Sequence, residues 1–108
     1  MASLSIPSVP LTFPWGTKVP STGELMPLAE GVFWLRFPLP FALDHINVWL
    51  LADEEGWVVV DTGYACALNQ ATWSQVLAAT GRPVHRIIVT HYHPDHLGLA
   101  HWLCTQFP

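Results

Sequence analysis

Three of the chain's six histidines fall within six residues, His91-Tyr92-His93-Pro94-Asp95-His96, and an aspartate sits among them. In extended backbone, residues two apart project to the same side, so His91 and His93 can offer both imidazoles to one metal ion. A turn after them would bring Asp95 and His96 round to the same cavity. Imidazole suits zinc, and a carboxylate is a common companion where the metal does chemistry rather than hold a fold. Cys66 and Cys104 lie too far from the cluster in sequence to suggest a thiolate-rich structural site. The bland reading is a polar loop that happens to be rich in histidine. Four candidate ligands at fixed offsets behind an apolar strand weigh against it.

Asp61 is a further candidate, at the end of Val58-Val59-Val60-Asp61-Thr62-Gly63. It reads either as a turn residue bonding local amides or as a carboxylate that orients metal ligands. The same six residues resemble the active-site strand of aspartic proteases. That family needs Ala or Ser after the glycine and a glycine-rich flap, whereas here Tyr64 and a helical segment follow.

The elements that must position these residues are legible from turn signals and periodicity. Seven of the ten prolines fall in the first 40 residues, and residues 1–30 show no sustained period. They read as an irregular arm, laid across the domain through Leu11, Phe13 and Trp15. The folded domain then spans 31–108. Strands are predicted at Gly31–Phe37, Ile46–Leu51 and Trp57–Asp61, with Asp53-Glu54-Glu55-Gly56 turning the last two into an antiparallel pair. A helix is predicted from Ala65 to Thr80, with Leu68, Thr72, Trp73, Val76 and Leu77 on its buried stripe and Gly81 as its stop. Ile87-Ile88-Val89 reads as a short strand buried on both faces. Strand, helix and strand in succession form a right-handed crossover, which makes Trp57–Asp61 and Arg86–Thr90 parallel. A final helix is predicted from about Asp95 to Phe107. Ligands of parallel α/β units gather beyond the carboxyl ends of the strands. Asp61 and the His91–His96 segment both lie there, so they should be neighbours.

Composition narrows the function. Of 108 residues, 51% are hydrophobic, enough for a core. Lys18, Arg36, Arg82 and Arg86 stand against eight acids, for a net charge of −4. With no basic patch to neutralise phosphates, a nucleic-acid partner is not expected. No apolar run reaches the roughly 18 to 20 residues of a membrane span, so no membrane partner is expected either. Residues 1–10 carry no Lys or Arg and two prolines, unlike a signal peptide. The expectation is a soluble, cytoplasmic protein with reduced thiols, acting on a small-molecule substrate. His45, His85 and His101 read as surface or half-buried imidazoles, with His45 near the cleft entrance.

With these residues in view, His91-x-His93-x-Asp95-His96 behind an apolar strand and Asp61-Thr62-Gly63 resembles the signature of the metallo-β-lactamase superfamily. The run from Asp44-His45-Ile46-Asn47 to Gly63 is similar to the N-terminal half of those hydrolases. The resemblance covers roughly residues 30 to 108. It implies an α/β fold, the N-terminal half of an αβ/βα sandwich with a mixed sheet and flanking helices. It implies two zinc ions with a water or hydroxide between them. His91 and His93 would bind the first ion, and Asp95 and His96 the second. Asp95 would also orient the hydroxide, and Asp61 would hydrogen-bond to the loop that carries the ligands. His93, standing where the di-iron branch has Glu, keeps zinc ahead of iron. The family's remaining ligands come from its second half. After the motif this sequence offers only His101 and Cys104. The chain therefore reads as half of a metal-dependent hydrolase, inactive alone, whose partner is the other half of the fold. The alternative is a truncated, non-catalytic fragment that binds at most one metal ion weakly.

Overall fold

The computed structural model describes residues 12, 14–39 and 45–106. Leu11, Phe13, Asp44 and Phe107 lie outside them. Five strands form one mixed sheet in chain order: β1 (Met26–Ala29), β2 (Val32–Pro38), β3 (His45–Ala52), β4 (Trp57–Val60) and β5 (Val84–Ile88). The first four pair antiparallel and β5 joins β4 in parallel, the mixed sheet and crossover the sequence predicts. Three helices follow or intervene: α1 (Ala67–Thr80), α2 (Pro94–Leu97) and α3 (Ala100–Gln106).

Alternation along β2 and β3 decides which face is buried. Leu35, Phe37, Val48 and Leu50 point inward from paired strands, and with Val59 of β4 all are fully buried. Trp73, Val76 and Leu77 of α1 close over them, and Leu99 and Leu103 complete the core. Phe37 and Trp73 rings meet at 5.2 Å. Each such fully buried side chain contributes about 1.5 to 3 kcal/mol. The opposite face, including Trp34, Trp49, Val58 and Val60, is half-buried.

The turn between β3 and β4 shows how the residues dictate the geometry. Asp53 Oδ1 accepts from the Glu55 and Gly56 backbone N–H groups at 2.9 Å each. Gly56 adopts φ 151°, and a Cβ there would lie 2.3 Å from the Pro83 carbonyl oxygen. Only glycine lets the turn pass so close to the start of β5.

Four expectations are corrected. Met26–Ala29 is a strand inside the stretch read as an irregular arm; it is four residues long, with Pro27 at a sheet edge, too short to show a period. Leu68 is 57% exposed, and Asn69 is buried in its place. Asn69, Thr72, Trp73, Val76 and Leu77 keep strict helical spacing, and Asn69 donates Nδ2–H to the Tyr64 carbonyl at 3.0 Å, while its buried Oδ1 has no hydrogen-bond partner. Ile88 and Val89 are 45% and 39% exposed rather than buried on both faces, because β5 is an edge strand among the described residues. The single helix from Asp95 becomes α2 and α3, broken at Gly98-Leu99, where the Thr62 hydroxyl takes the Leu99 N–H at 3.0 Å.

Candidate metal centre

The centre is built at the carboxyl ends of β4 and β5. Asp61 N–H donates to the Ile88 carbonyl at 2.8 Å, extending the parallel ladder by one residue. Asp61 then turns through φ 64°, a left-handed conformation that a short polar side chain tolerates. Its side chain is 2% exposed. Oδ1 accepts from the Thr90 N–H at 2.7 Å, and Oδ2 accepts from the Thr90 hydroxyl at 2.6 Å. His96 Nδ1 stands 2.9 Å from the same Oδ2. Burial pushes the Asp61 pKa up, but the Thr90 and His96 contacts together outweigh it and hold the carboxyl below its ordinary range. It is ionised at neutral pH.

These contacts decide the tautomers of two histidines. An ionised Asp61 accepts only, so His96 carries a proton on Nδ1, and in the neutral ring that a metal ligand requires Nε2 is the bare nitrogen. The Thr90 hydroxyl donates its proton to Asp61 and so accepts from His91 Nδ1, 2.9 Å away. In its neutral ring His91 therefore also has Nε2 as the bare nitrogen. One buried carboxylate sets both rings, directly in one case and through a hydroxyl in the other.

Thr62 fixes the loop from behind. Its N–H and its hydroxyl both donate to the His96 carbonyl at 2.8 Å. Trp73 Nε1–H donates to the Thr62 carbonyl at 2.8 Å, which ties the site to α1. At Gly98 an added Cβ would come within 3.0 Å of Ala65 N and Gly63 O, so the turn after α2 sits directly on the Asp61–Gly63 loop.

The predicted neighbours do meet. Asp61, His91 and His96 each offer a ligand atom, all within 4.8 Å of one another. The rings of His91 and His96 lie 4.5 Å apart. His93 is nearly parallel to His91 at 6.0 Å and rests edge-on against Tyr92 at 4.6 Å. Asp95 Oδ2 is 3.6 Å from His96 Nε2, and both side chains are about one-fifth exposed. His101 and Cys104, both exposed, lie on α3. His85 contacts Glu55 Oε2 at 2.9 Å, near the start of β5 and away from the centre. The donor set of imidazole nitrogens and carboxylate oxygens, without thiolate, fits zinc or a similar borderline ion.

Thr62 and Thr90 are the positioning residues that sequence reasoning missed. Their signal was weak: a threonine at or near the carboxyl end of each parallel strand, beside the residues that could do chemistry.

The metallo-beta-lactamase superfamily model matches residues 42–108, which include every residue of this centre. A crystal structure of a beta-lactamase domain protein from Burkholderia ambifaria aligns with a TM-score of 0.84 and 46% identity, over 88% of this chain and 29% of that one. A metallo-beta-lactamase family protein from Thermus thermophilus aligns at 0.66 and 30% identity, over 73% and 27%. A hydroxyacylglutathione hydrolase from Albidiferax ferrireducens is 39% identical, over 56% of this chain and 22% of the relative. The beta-lactamase-like protein 2 homolog of Caenorhabditis elegans is 37% identical, over 56% and 21%. The chain spans about a fifth to a quarter of the length of the curated relatives it matches. By family match, fold and the arrangement of its histidines, it belongs to the metallo-beta-lactamase superfamily.

Proposed function

We propose that these residues form part of a binuclear zinc hydrolase site acting on an ester, thioester, amide or related bond of a small molecule. The observation that carries the reading is the pair of histidines, His91 and His96, each with Nδ1 engaged and Nε2 left for a metal. His91 and His93 would hold one ion, and Asp95 and His96 the other. Bound zinc supplies Lewis acidity and lowers the pKa of coordinated water toward about 7. The chain's own residues do the rest. Asp61 keeps His91 and His96 in their ligating tautomers, and Thr62 and Gly98 hold the loop in register with β4. Asp95, beside His96, would orient the attacking water. The remaining ligands are proposed to come from chain of the same fold outside these 108 residues. That chain would also cover the half-buried sheet face around Trp34 and Trp49. No helix among the described residues is long and apolar enough to cross a membrane. The unbridged thiols of Cys66 and Cys104 favour a cytoplasmic setting.

A hydrolytic zinc ion normally has about three protein ligands and one open position. With two per ion, these 108 residues should hydrolyse esters or β-lactams barely above free zinc, because poor positioning forfeits several kcal/mol of the barrier. A chain extended through the rest of the fold should gain orders of magnitude. The test is chelator-sensitive turnover per mole of bound zinc for the two chains. Robust turnover by the short chain, abolished in Asp95→Ala, would overturn the division of the site between two halves.

A further inference from the structure

Six tryptophans stand in the chain, and at three of them the structure shows where the indole N–H goes. Trp34 donates to the Asn47 side chain and Trp57 to the Thr80 hydroxyl. Trp73 differs. It is fully buried, about two turns into α1, and it donates at 2.8 Å to the main-chain carbonyl of Thr62, two residues past β4. Thr62 is fully buried too, and its N–H and hydroxyl both reach the ligand loop. Each donates to the His96 carbonyl at 2.8 Å, and the hydroxyl oxygen accepts the Leu99 N–H at 3.0 Å. One residue thus clasps both ends of the segment His96–Leu99, and its own carbonyl is anchored from α1.

The local backbone makes that anchor matter. Asp61 and Gly63 take φ 64° and 90°, so Thr62 sits between two left-handed residues. A Cβ at Gly63 would stand 3.3 Å from the Phe37 ring, and the same ring meets Trp73 at 5.2 Å. The loop is therefore pressed onto Phe37 and tied by its carbonyl to Trp73. A buried carbonyl deprived of its donor is costly. Thr62 would shift toward another donor or admit water, and Gly63, free to take φ of either sign, permits the shift. Either response loosens the Thr62 hydroxyl from His96 and Leu99. His96 is also the residue whose Nδ1 lies 2.9 Å from Asp61 Oδ2, the contact that sets its ring. We infer that Trp73 is a positioning residue of the metal centre: acting through Thr62, its indole N–H holds the His96–Leu99 loop in the arrangement that lets His96 take a metal. Without that bond part of the free chain leaves this arrangement, and the apparent affinity falls with the competent fraction. For zinc this rests on the hydrolase reading; the anchoring of the loop needs no metal.

A tryptophan that only fills the core is indifferent to its N–H, and the experiment exploits that difference. Position 73 receives 3-benzothienylalanine, which keeps the bicyclic shape with sulfur in place of N–H, or 5-fluorotryptophan, which keeps the N–H. Trp73→Phe is the encoded counterpart. Two quantities are read: amide hydrogen exchange of the zinc-free chain, and zinc affinity against a chromophoric chelator. Benzothienylalanine should speed exchange at Leu99 and weaken zinc binding, each about three- to tenfold, the weight of one neutral hydrogen bond. Exchange at Val48, buried in the centre of the sheet, should not change. The 5-fluorotryptophan chain should match the wild type in both. Leu99 and Val48 speeding together, with zinc affinity unchanged, would reduce Trp73 to core packing and overturn the inference. A fluorotryptophan chain that behaves like the benzothienyl one would overturn it as well. Should Trp73→Phe unfold the chain, the benzothienyl variant, which keeps the volume, still decides. A wild-type chain that takes up no zinc while Leu99 responds as stated would sink the hydrolase reading and leave the anchor standing. Zinc binding with Leu99 exchange and affinity both unmoved by benzothienylalanine would do the reverse.

Discussion

Asp61→Asn is the substitution that probes the centre most cleanly, since it keeps shape and removes charge. Asp61 accepts two hydrogen bonds from Thr90, at 2.7 and 2.6 Å, and one from His96 at 2.9 Å. An amide can place one oxygen in this set, and its NH₂ then faces either Thr90 or His96. If the NH₂ faces Thr90, two donors meet across the loop. If it faces His96, it donates to Nδ1 and drives the proton to Nε2, which blocks the ligating nitrogen. Loss of such orienting partners typically weakens metal binding about 10- to 100-fold, equivalent to about 1.4 to 2.7 kcal/mol. Hydrogen bonds to a charged acceptor are worth about 1.5 to 3 kcal/mol each, so a loss of stability of similar size should accompany it. The assay is zinc titration against a chromophoric chelator, run beside urea denaturation of the same zinc-free samples. The variant should remain folded and bind zinc at least tenfold more weakly. Unchanged affinity in a folded variant would refute the tautomer argument, and unfolding without a metal effect would return Asp61 to a turn role.

Two further predictions concern the frame. Gly56→Ala should destabilise the chain by about 1 to 3 kcal/mol, because φ 151° is strained for alanine and its Cβ would meet the Pro83 carbonyl; an unchanged urea midpoint would show that the turn can move. Because the folded pKa of Asp61 is depressed, its stabilising contribution is full above the unfolded value near about 4 and is lost as pH falls through the folded value. Urea midpoints from pH 6 down to pH 2.5 should therefore fall more steeply for the wild-type chain than for Asp61→Asn, and parallel curves would count against an ionised Asp61.

The strands and the crossover were readable because β-branched runs and turn chemistry, from Asp53-Glu54-Glu55-Gly56 to Gly81, carry strong local signals. The neighbourhood of Asp61 and His91 followed from topology alone, since parallel strands put their carboxyl ends together. What could not be read were features set by long-range contacts. Met26–Ala29 is a strand only because β2 pairs with it. Gly98-Leu99 interrupts a helical pattern because a threonine more than thirty residues away takes the Leu99 N–H. Asn69 is buried because Tyr64 offers it a carbonyl, which no hydrophobic scale registers. The division of His91, His93, Asp95 and His96 between two ions came from resemblance. The structure adds that the His91 and His96 rings lie 4.5 Å apart and that the Nδ1 of each is engaged, which leaves Nε2 as the nitrogen able to take a metal.

The central claim is that this histidine cluster is a zinc site, and zinc-edge X-ray absorption on the zinc-loaded chain tests it most directly. The account predicts imidazole nitrogen and carboxylate oxygen ligands at about 2.0 to 2.2 Å, no sulfur near 2.3 Å, and loss of bound zinc in the His91→Ala, His93→Ala double variant. A sulfur shell, or zinc content unchanged in that variant, would contradict it.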